Sequence, residues 1–154
     1  MYSQNGSELI PAEQEADYIR QYVDLQKLRL NHHTQVELIT ETSCREVLIP
    51  PMILITFVEN AFKYGSSSDR DCTIRLFIHI DENHLLFTTE NAVMRRREDG
   101  EQGIGIFNCR KRLELLYPGR YKLVNKETDG IYQVRLDIQI KDCLLYTSPS
   151  PRDS

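Results

Sequence analysis

In CTIRLFIHI, residues 72–80, the residues Ile74, Leu76, Ile78 and Ile80 fall on one side of an extended chain, and Arg75 and His79 fall on the other. The same period of two returns in IYQVRLDIQI (131–140), through Tyr132, Val134, Leu136, Ile138 and Ile140. A strand that alternates this cleanly has one buried face and one wet face. Every helix must therefore cover the same side of the sheet. The expected fold class is α+β, a two-layer α/β sandwich with a mixed sheet covered on one face by about three helices, rather than a doubly wound sheet.

The rest of the chain supplies those layers. PAEQEADYIRQYVDLQKLRL (11–30) has proline near its start and apolar residues at Ile19, Val23, Leu25, Leu28 and Leu30, which predicts an amphipathic helix. TQVELITE (34–41) alternates weakly and reads as a strand. A helix from Pro51 to Tyr64, punctuated by Gly65, follows. CTIRLFIHI turns at DENH and returns through HLLFTTE (84–90), a hairpin pattern. A polar connection between Asn91 and Gly103 contains Arg95, Arg96 and Arg97, and shows no periodicity. GIGIFNCRKRLELLYPG (103–119) places Ile106, Cys109, Leu113 and Leu116 on one stripe and predicts a third helix. YKLVN (121–125), a KETDG turn and IYQVRLDIQI close the domain as a second hairpin. The end of the chain, CLLYTSPSPRDS, breaks the pattern with prolines and serines and is expected to be a disordered, non-native tail.

Composition removes several functional classes. The 154 residues, 40% of them hydrophobic, suffice for one core and not for two. A formal charge of −4 argues against a sequence-independent grip on nucleic acid, where a basic face supplies most of the affinity. Cys44, Cys72, Cys109 and Cys143 form no CxxC pair and the histidines do not cluster, so neither a zinc site nor a disulfide framework is encoded. Reduced thiols point to a cytoplasmic location. No stretch approaches the roughly 20 apolar residues of a membrane span, and MYSQNGSELIP lacks the regions of a signal peptide, so no membrane contact is expected.

Within PPMILITFVENAFKYG (50–65) the apolar stripe runs through Ile53 and Phe57, and its next positions are Asn60 and Tyr64. An amide thus stands where a core residue is expected, and burying it without partners costs roughly 1–3 kcal/mol. Mg²⁺ takes oxygen ligands and keeps several waters when it binds nucleotide phosphates, so one amide oxygen can be its protein ligand. Glu59 is placed to orient or deprotonate a nucleophile, and Lys63, one turn on, to meet phosphate charge. The alternative is that Glu59 and Lys63 form a solvated ion pair while Asn60 satisfies a buried backbone group. GIG at 103–105 opens a helix out of a loop, where free N–H groups and glycines allow a phosphate to approach. A dinucleotide-binding GxGxxG is excluded, because position 108 is Asn and no strand directly precedes Gly103.

These segments together carry a resemblance. ENAFKYG resembles the N box of the GHKL (Bergerat) ATP-binding fold. LIPAEQEADYIRQYVDLQKLRL, LIPPMILITFVENAFKYG, TTENA and GIGIFNCRKRLELLYPG, in this order from about Leu9 to Ile140, resemble the catalytic region of LytS/YehU-type sensor histidine kinases. The resemblance implies that Asn60 holds Mg²⁺, that Glu59 and Lys63 flank the triphosphate of ATP, and that Gly103, Ile104, Gly105 and Ile106 belong to the loop and helix start closing over the phosphates. Tyr64 and Asn91 join the nucleotide site on the same ground. The implied function is that of a protein histidine kinase: Mg²⁺-dependent transfer of the γ-phosphoryl group of ATP to a histidine, then to a response regulator aspartate. A catalytically inactive nucleotide-binding or interaction module and a hydrolytic GHKL ATPase are the alternatives.

Two departures from the family pattern matter. Asn91 stands where many GHKL proteins have the adenine-reading aspartate of DxGxG, and no glycine follows it. The family's acceptor histidine lies in an NPHFLFN-like segment, and His32, His33, His79 and His84 are all in other contexts. The expected acceptor is therefore an upstream dimerisation and phosphoacceptor segment, with residues 1–33 as its possible end, 34–142 as the catalytic domain and 143–154 as the tail. Full-length family members are expected to be homodimers and commonly anchored in the bacterial inner membrane.

Overall fold

A computed structural model of the chain describes residues 9–43, 46–94 and 104–140. Three helices, α1 (Ala12–Arg29), α2 (Ile53–Gly65) and α3 (Ile104–Leu116), lie with seven strands. Five of these, β2 (Thr34–Thr42), β4 (Cys72–Ile80), β5 (His84–Ala92), β6 (Tyr121–Thr128) and β7 (Ile131–Gln139), form one sheet in the order β2-β4-β5-β7-β6. β2 pairs in parallel with β4 and the remaining pairs are antiparallel, which makes the sheet mixed, as expected. β1 (Ile10–Pro11) and β3 (Leu48–Ile49) form a separate antiparallel pair that pattern reading does not find, because two residues carry no periodicity.

Alternation sets which face is buried. Ile74, Leu76, Ile78 and Ile80 of β4, Leu85 and Phe87 of β5, and Val134, Leu136 and Ile138 of β7 point into one core with the helices. Ala12, Ala16, Ile19 and Val23 of α1 join the same core. Leu25 and Leu28, counted above on the apolar face of that helix, are 62% and 83% exposed. The buried stripe of α1 runs through Ala12, Ala16, Ile19 and Val23, so Ile19 and Val23 are buried as expected and Leu25 and Leu28, two and five residues past Val23, fall off its spacing of three and four. The second hairpin also differs: β6 continues to Thr128, and Asp129 and Gly130 make a two-residue turn with φ of 54° and 79°. Two consecutive left-handed residues match the twist of the strands, so the KETDG turn shortens to its last two positions.

Candidate functional site

α2 begins at Ile53 rather than Pro51, because Met52 adopts a left-handed backbone, φ 68° and ψ 15°. Its first turn is closed from outside. The carboxylate of Glu15 on α1 accepts the N–H groups of Met52 at 2.9 Å, Leu54 at 2.9 Å and Ile55 at 3.3 Å. Nothing in the local sequence around α2 announces this cap, and the signal that could have found it is a lone acidic residue on the buried stripe of α1.

From that start, helical spacing buries Ile53, Phe57, Ala61 and Tyr64 and brings Glu59 and Lys63 to the exposed side. Asn60 lies between them, partly exposed, and makes no side-chain hydrogen bond among the described residues. It is thus at the margin of the buried face rather than inside it, as the stripe had placed it. The Nζ of Lys63 sits 5.2 Å from the centre of the Tyr64 ring. Tyr22 of α1 packs edge-on against Phe62 with centroids 5.6 Å apart, and burial, followed by the charge of Glu59, raises its pKa. Tyr22 is a neighbour of the site that sequence reading missed.

Two approaches bracket this stretch of α2. At its C-terminal end, Met94 N–H donates to Tyr64 O at 2.8 Å, so the chain leaving β5 is tied to the helix. At its N-terminal end, a Cβ on Gly105 would stand 2.9 Å from Cγ2 of Thr56, so α3 starts in direct contact with the first turn of α2. Glu59, Asn60 and Lys63 fall between these two contacts. Ile106 is buried and anchors the start of α3, whereas Gly105 is exposed. Gly103, the side chain of Ile104 and Arg95 to Arg97 lie outside the described residues, as do Cys44, Cys143 and the segment 143–154.

The most informative polar atoms are on β5. Asn91 is 1% exposed; its Nδ2 donates to the carbonyl of Ala92 at 2.9 Å, and its Oδ1 is buried with no hydrogen-bond partner among the described residues. The hydroxyl of Thr89, two residues earlier on the same face, is in the same condition. A Cβ on Gly65 would stand 2.6 Å from Asn91 Cβ, so the end of α2 and the end of β5 touch through this glycine. Unsatisfied buried polar atoms of this kind cost about 1–3 kcal/mol each and want a partner, a water or a ligand, that the described residues do not supply. They fit a base with an amino edge.

A cation and nucleotide also fit the face of α2. No group of three or more His, Cys, Asp or Glu side chains is arranged for a metal among the described residues. The unpartnered amide oxygen of Asn60 is an oxygen donor suited to Mg²⁺ that keeps water and phosphate ligands. On α3, Arg110 donates to Leu123 O at 3.4 Å and to Asn125 Oδ1 at 3.5 Å, and Lys111 Nζ lies 5.4 Å from the Phe107 ring centre. Three of the four histidines are engaged with carboxylates, His33 with Asp71, His79 with Glu41 and Asp81, and His84 with Asp137, and His32 packs on the His33 ring. Cys72 and Cys109 are free and buried. No described helix is long and apolar enough to cross a membrane.

No protein-family model matches the sequence. Individual relatives do. The chain is 28% identical to the sensor histidine kinase YesM of Bacillus subtilis over 122 residues, 75% of this chain and 21% of YesM. It is 29% identical to the sensor protein LytS of Bacillus anthracis over 97 residues, 62% of this chain and 15% of LytS. The chain thus spans about a fifth or less of the length of these curated relatives. Among solved structures, the catalytic domain of histidine kinase ThkA superposes with a TM-score of 0.62 at 12% identity, covering 88% of this chain and 98% of that domain. Full-length ShkA in complex with AMPPNP superposes with a TM-score of 0.59 at 15% identity, covering 89% of this chain and 32% of ShkA. ThkA in complex with the response regulator protein TrrA gives 0.55 at 12% identity, over 87% of this chain and 42% of that one. The chain is a homologue of the LytS- and YesM-type sensor histidine kinases and has the fold of a histidine kinase catalytic domain.

Proposed function

We propose that this chain is the ATP-binding catalytic domain of a two-component sensor histidine kinase, which transfers the γ-phosphoryl group of ATP to a histidine on an upstream dimerisation segment. The observation that carries the reading is the buried, unpartnered Oδ1 of Asn91 beside Gly65. With Nδ2 committed to Ala92 O, the free atom is a neutral acceptor, the kind of group that an adenine amino group can satisfy.

Each residue then has a task. Asn91 Oδ1 accepts from the adenine amine and Thr89 Oγ1 satisfies a second atom of the base edge. Asn60 offers its amide oxygen to Mg²⁺, which when bound neutralises phosphate charge and orients the triphosphate. Lys63 reaches phosphate from one turn further on, with Tyr64 beneath it as a rigid support. Glu59, exposed on the same helix, orients the acceptor imidazole by accepting from its N–H and can take that proton while the other ring nitrogen attacks. The segment containing Gly103, Ile104, Gly105 and Ile106 supplies backbone N–H groups at the start of α3 for the phosphates. Phosphoryl transfer is mostly positioning and charge neutralisation, so this modest set of groups is chemically sufficient.

The acceptor histidine and the response regulator aspartate belong to partners, the first reached through α1, the second a separate protein. Such a domain works in the cytoplasm, as part of a homodimer. The test is a calorimetric titration of the chain with ATP, with and without Mg²⁺. Saturable binding that needs Mg²⁺ is expected; no heat at millimolar ATP sinks the reading and leaves an interaction module.

A further inference from the structure

Glu15 is the one buried acidic side chain among the described residues, 2% exposed on α1. Burial raises its pKa, opposed by the backbone N–H groups of Met52, Ile55 and Leu54 and by the charge of Arg112 on α3. It supplies the N-terminal cap that α2 lacks, since Met52 offers no side-chain cap of its own. Its two oxygens hold three N–H donors of a single turn. A carboxylate bonded in this way fixes the position of that turn relative to α1 and is favoured there by the helix dipole.

The same turn of α2 carries α3. Gly105 lies against Cγ2 of Thr56, at a spacing that leaves no room for a Cβ, and Cys109 Sγ–H donates to Ile53 O at 3.6 Å. Thr56 is itself held by a bond from its hydroxyl to Met52 O at 3.0 Å. A continuous line of contacts thus runs from Glu15 through Met52, Ile53 and Thr56 to Gly105 and Cys109.

We propose that Glu15 is a positioning residue: through it α1 sets the seat of α3 on α2, and so the place of Gly105 at the phosphate end of the nucleotide site. The inference rests on the nucleotide reading above. A shift of α1 is conveyed to Gly105 instead of being absorbed, because the charge-assisted bonds and the tight Gly105–Thr56 contact leave little slack. α1 is also the element through which an upstream segment would act, so Glu15 gives that segment a mechanical route to nucleotide affinity.

The experiment compares Glu15→Ala and Glu15→Gln with Leu85→Ala in the full chain. Leu85 is fully buried near the start of β5 and takes no part in the bonds of the Glu15 cap, so its truncation serves as a loss of stability that leaves those bonds in place. Two quantities are read at a temperature where circular dichroism shows each variant folded: the Kd for Mg-ATP, and the alkylation rate of Cys109 by peptide mass spectrometry. Glu15→Ala is expected to weaken Mg-ATP by about tenfold or more and to speed Cys109 alkylation, as a displaced positioning group does. Glu15→Gln, which keeps one carbonyl acceptor, should fall between it and wild type. Leu85→Ala should lower Tm while leaving both quantities near wild type. Mg-ATP affinity in Glu15→Ala equal to that of Leu85→Ala overturns the positioning role alone. Wild-type chain that does not bind Mg-ATP overturns the nucleotide reading, and this role with it.

Discussion

A Cβ placed on Gly65 would meet Cβ, Cγ and Nδ2 of Asn91 at 2.6, 2.7 and 2.7 Å. The last residue of α2 and the second-to-last residue of β5 are therefore in contact with no atom to spare. Asn91 cannot swing aside, because its Cβ is fixed by the strand and its Nδ2 by Ala92 O. Gly65→Ala is expected to force α2 and β5 apart at about 1–3 kcal/mol of stability, a fall of several degrees in Tm. Mg-ATP affinity should fall with it. An alanine variant with wild-type melting would show that the two elements are not held at this spacing.

Thr89 permits a test of opposite sign. Its hydroxyl is buried with no partner among the described residues, so Thr89→Val removes an unsatisfied group while keeping the shape. Stability should hold or rise by about 1 kcal/mol. If the hydroxyl serves the base of a nucleotide, affinity for ATP should drop severalfold at the same time. Chemical denaturation and an ATP titration on one preparation separate the two effects, and a stability loss would mean that the hydroxyl has a protein partner after all.

Asn60 is predicted to matter for ligand and not for fold. Because its side chain is partly exposed and makes no hydrogen bond among the described residues, Asn60→Ala should change stability by no more than about 0.5 kcal/mol. Both Asn60→Ala and Asn60→Asp should lose Mg²⁺-dependent ATP binding, the first by removing the oxygen donor and the second by adding a charge that repels phosphate. Wild-type affinity in either variant, or unfolding of Asn60→Ala, would return Asn60 to a structural role.

Alternation made the sheet legible: Ile74 to Ile80 and Val134 to Ile138 each declared a face, and the one-sided helix layer followed. What stayed hidden is what depends on distant partners. Glu15 and Met52 are 37 residues apart, and no local period links a carboxylate on one helix to the first turn of another. On α1 the expected Ile19 and Val23 are buried, but Leu25 and Leu28, two and five residues past Val23, miss the spacing of three and four and are exposed, while Ala12 and Ala16 complete the stripe. The candidate site was proposed from residue types on one helical turn, Glu59, Asn60 and Lys63, which α2 carries at its exposed side and margin. The depth of Asn91 was not, since burial of an amide at a strand end depends on a glycine from another element.

The far end of the sheet gives a pH prediction. His79 Nδ1 and Nε2 each lie 3.0 Å from a carboxylate oxygen, of Glu41 and of Asp81, and these hydrogen bonds, Glu41 first, raise its pKa. A raised folded-state value means that protonated His79 contributes stability fully below its unfolded pKa of about 6.5, and that this is lost as pH rises through the folded value. Asp81 works in the opposite sense. Burial pushes it up, but the Asn83 N–H and then His79 bring it net below the usual carboxylate value, so its share is lost only in acid. Tm should therefore decline as pH is taken from about 6 upward, and His79→Gln should flatten that decline. An unchanged slope in the variant would assign the decline to another group.

The last prediction concerns the histidine that receives phosphate. His84 is seven residues along β5 from Asn91, about 23 Å at the rise of a strand, and His79 is on the opposite face of the sheet from Asn91. His33 is held by Asp71 at 2.8 Å, and His32 stacks on it with ring centres 4.2 Å apart. None of the four histidines of the chain is thus placed on the face of α2 that carries Glu59, Asn60 and Lys63. Transfer requires the acceptor nitrogen within near-attack distance of the γ-phosphate, and tethering supplies much of the rate. Incubated alone with Mg²⁺ and labelled ATP, the chain should bind nucleotide yet gain no acid-labile, base-stable label. Given a separate helical segment with an NPHF-like acceptor, it should label that segment slowly, and Glu59→Gln should suppress labelling more than binding. Label found on His32 or His33 of the isolated chain would contradict this placement and make the domain its own acceptor.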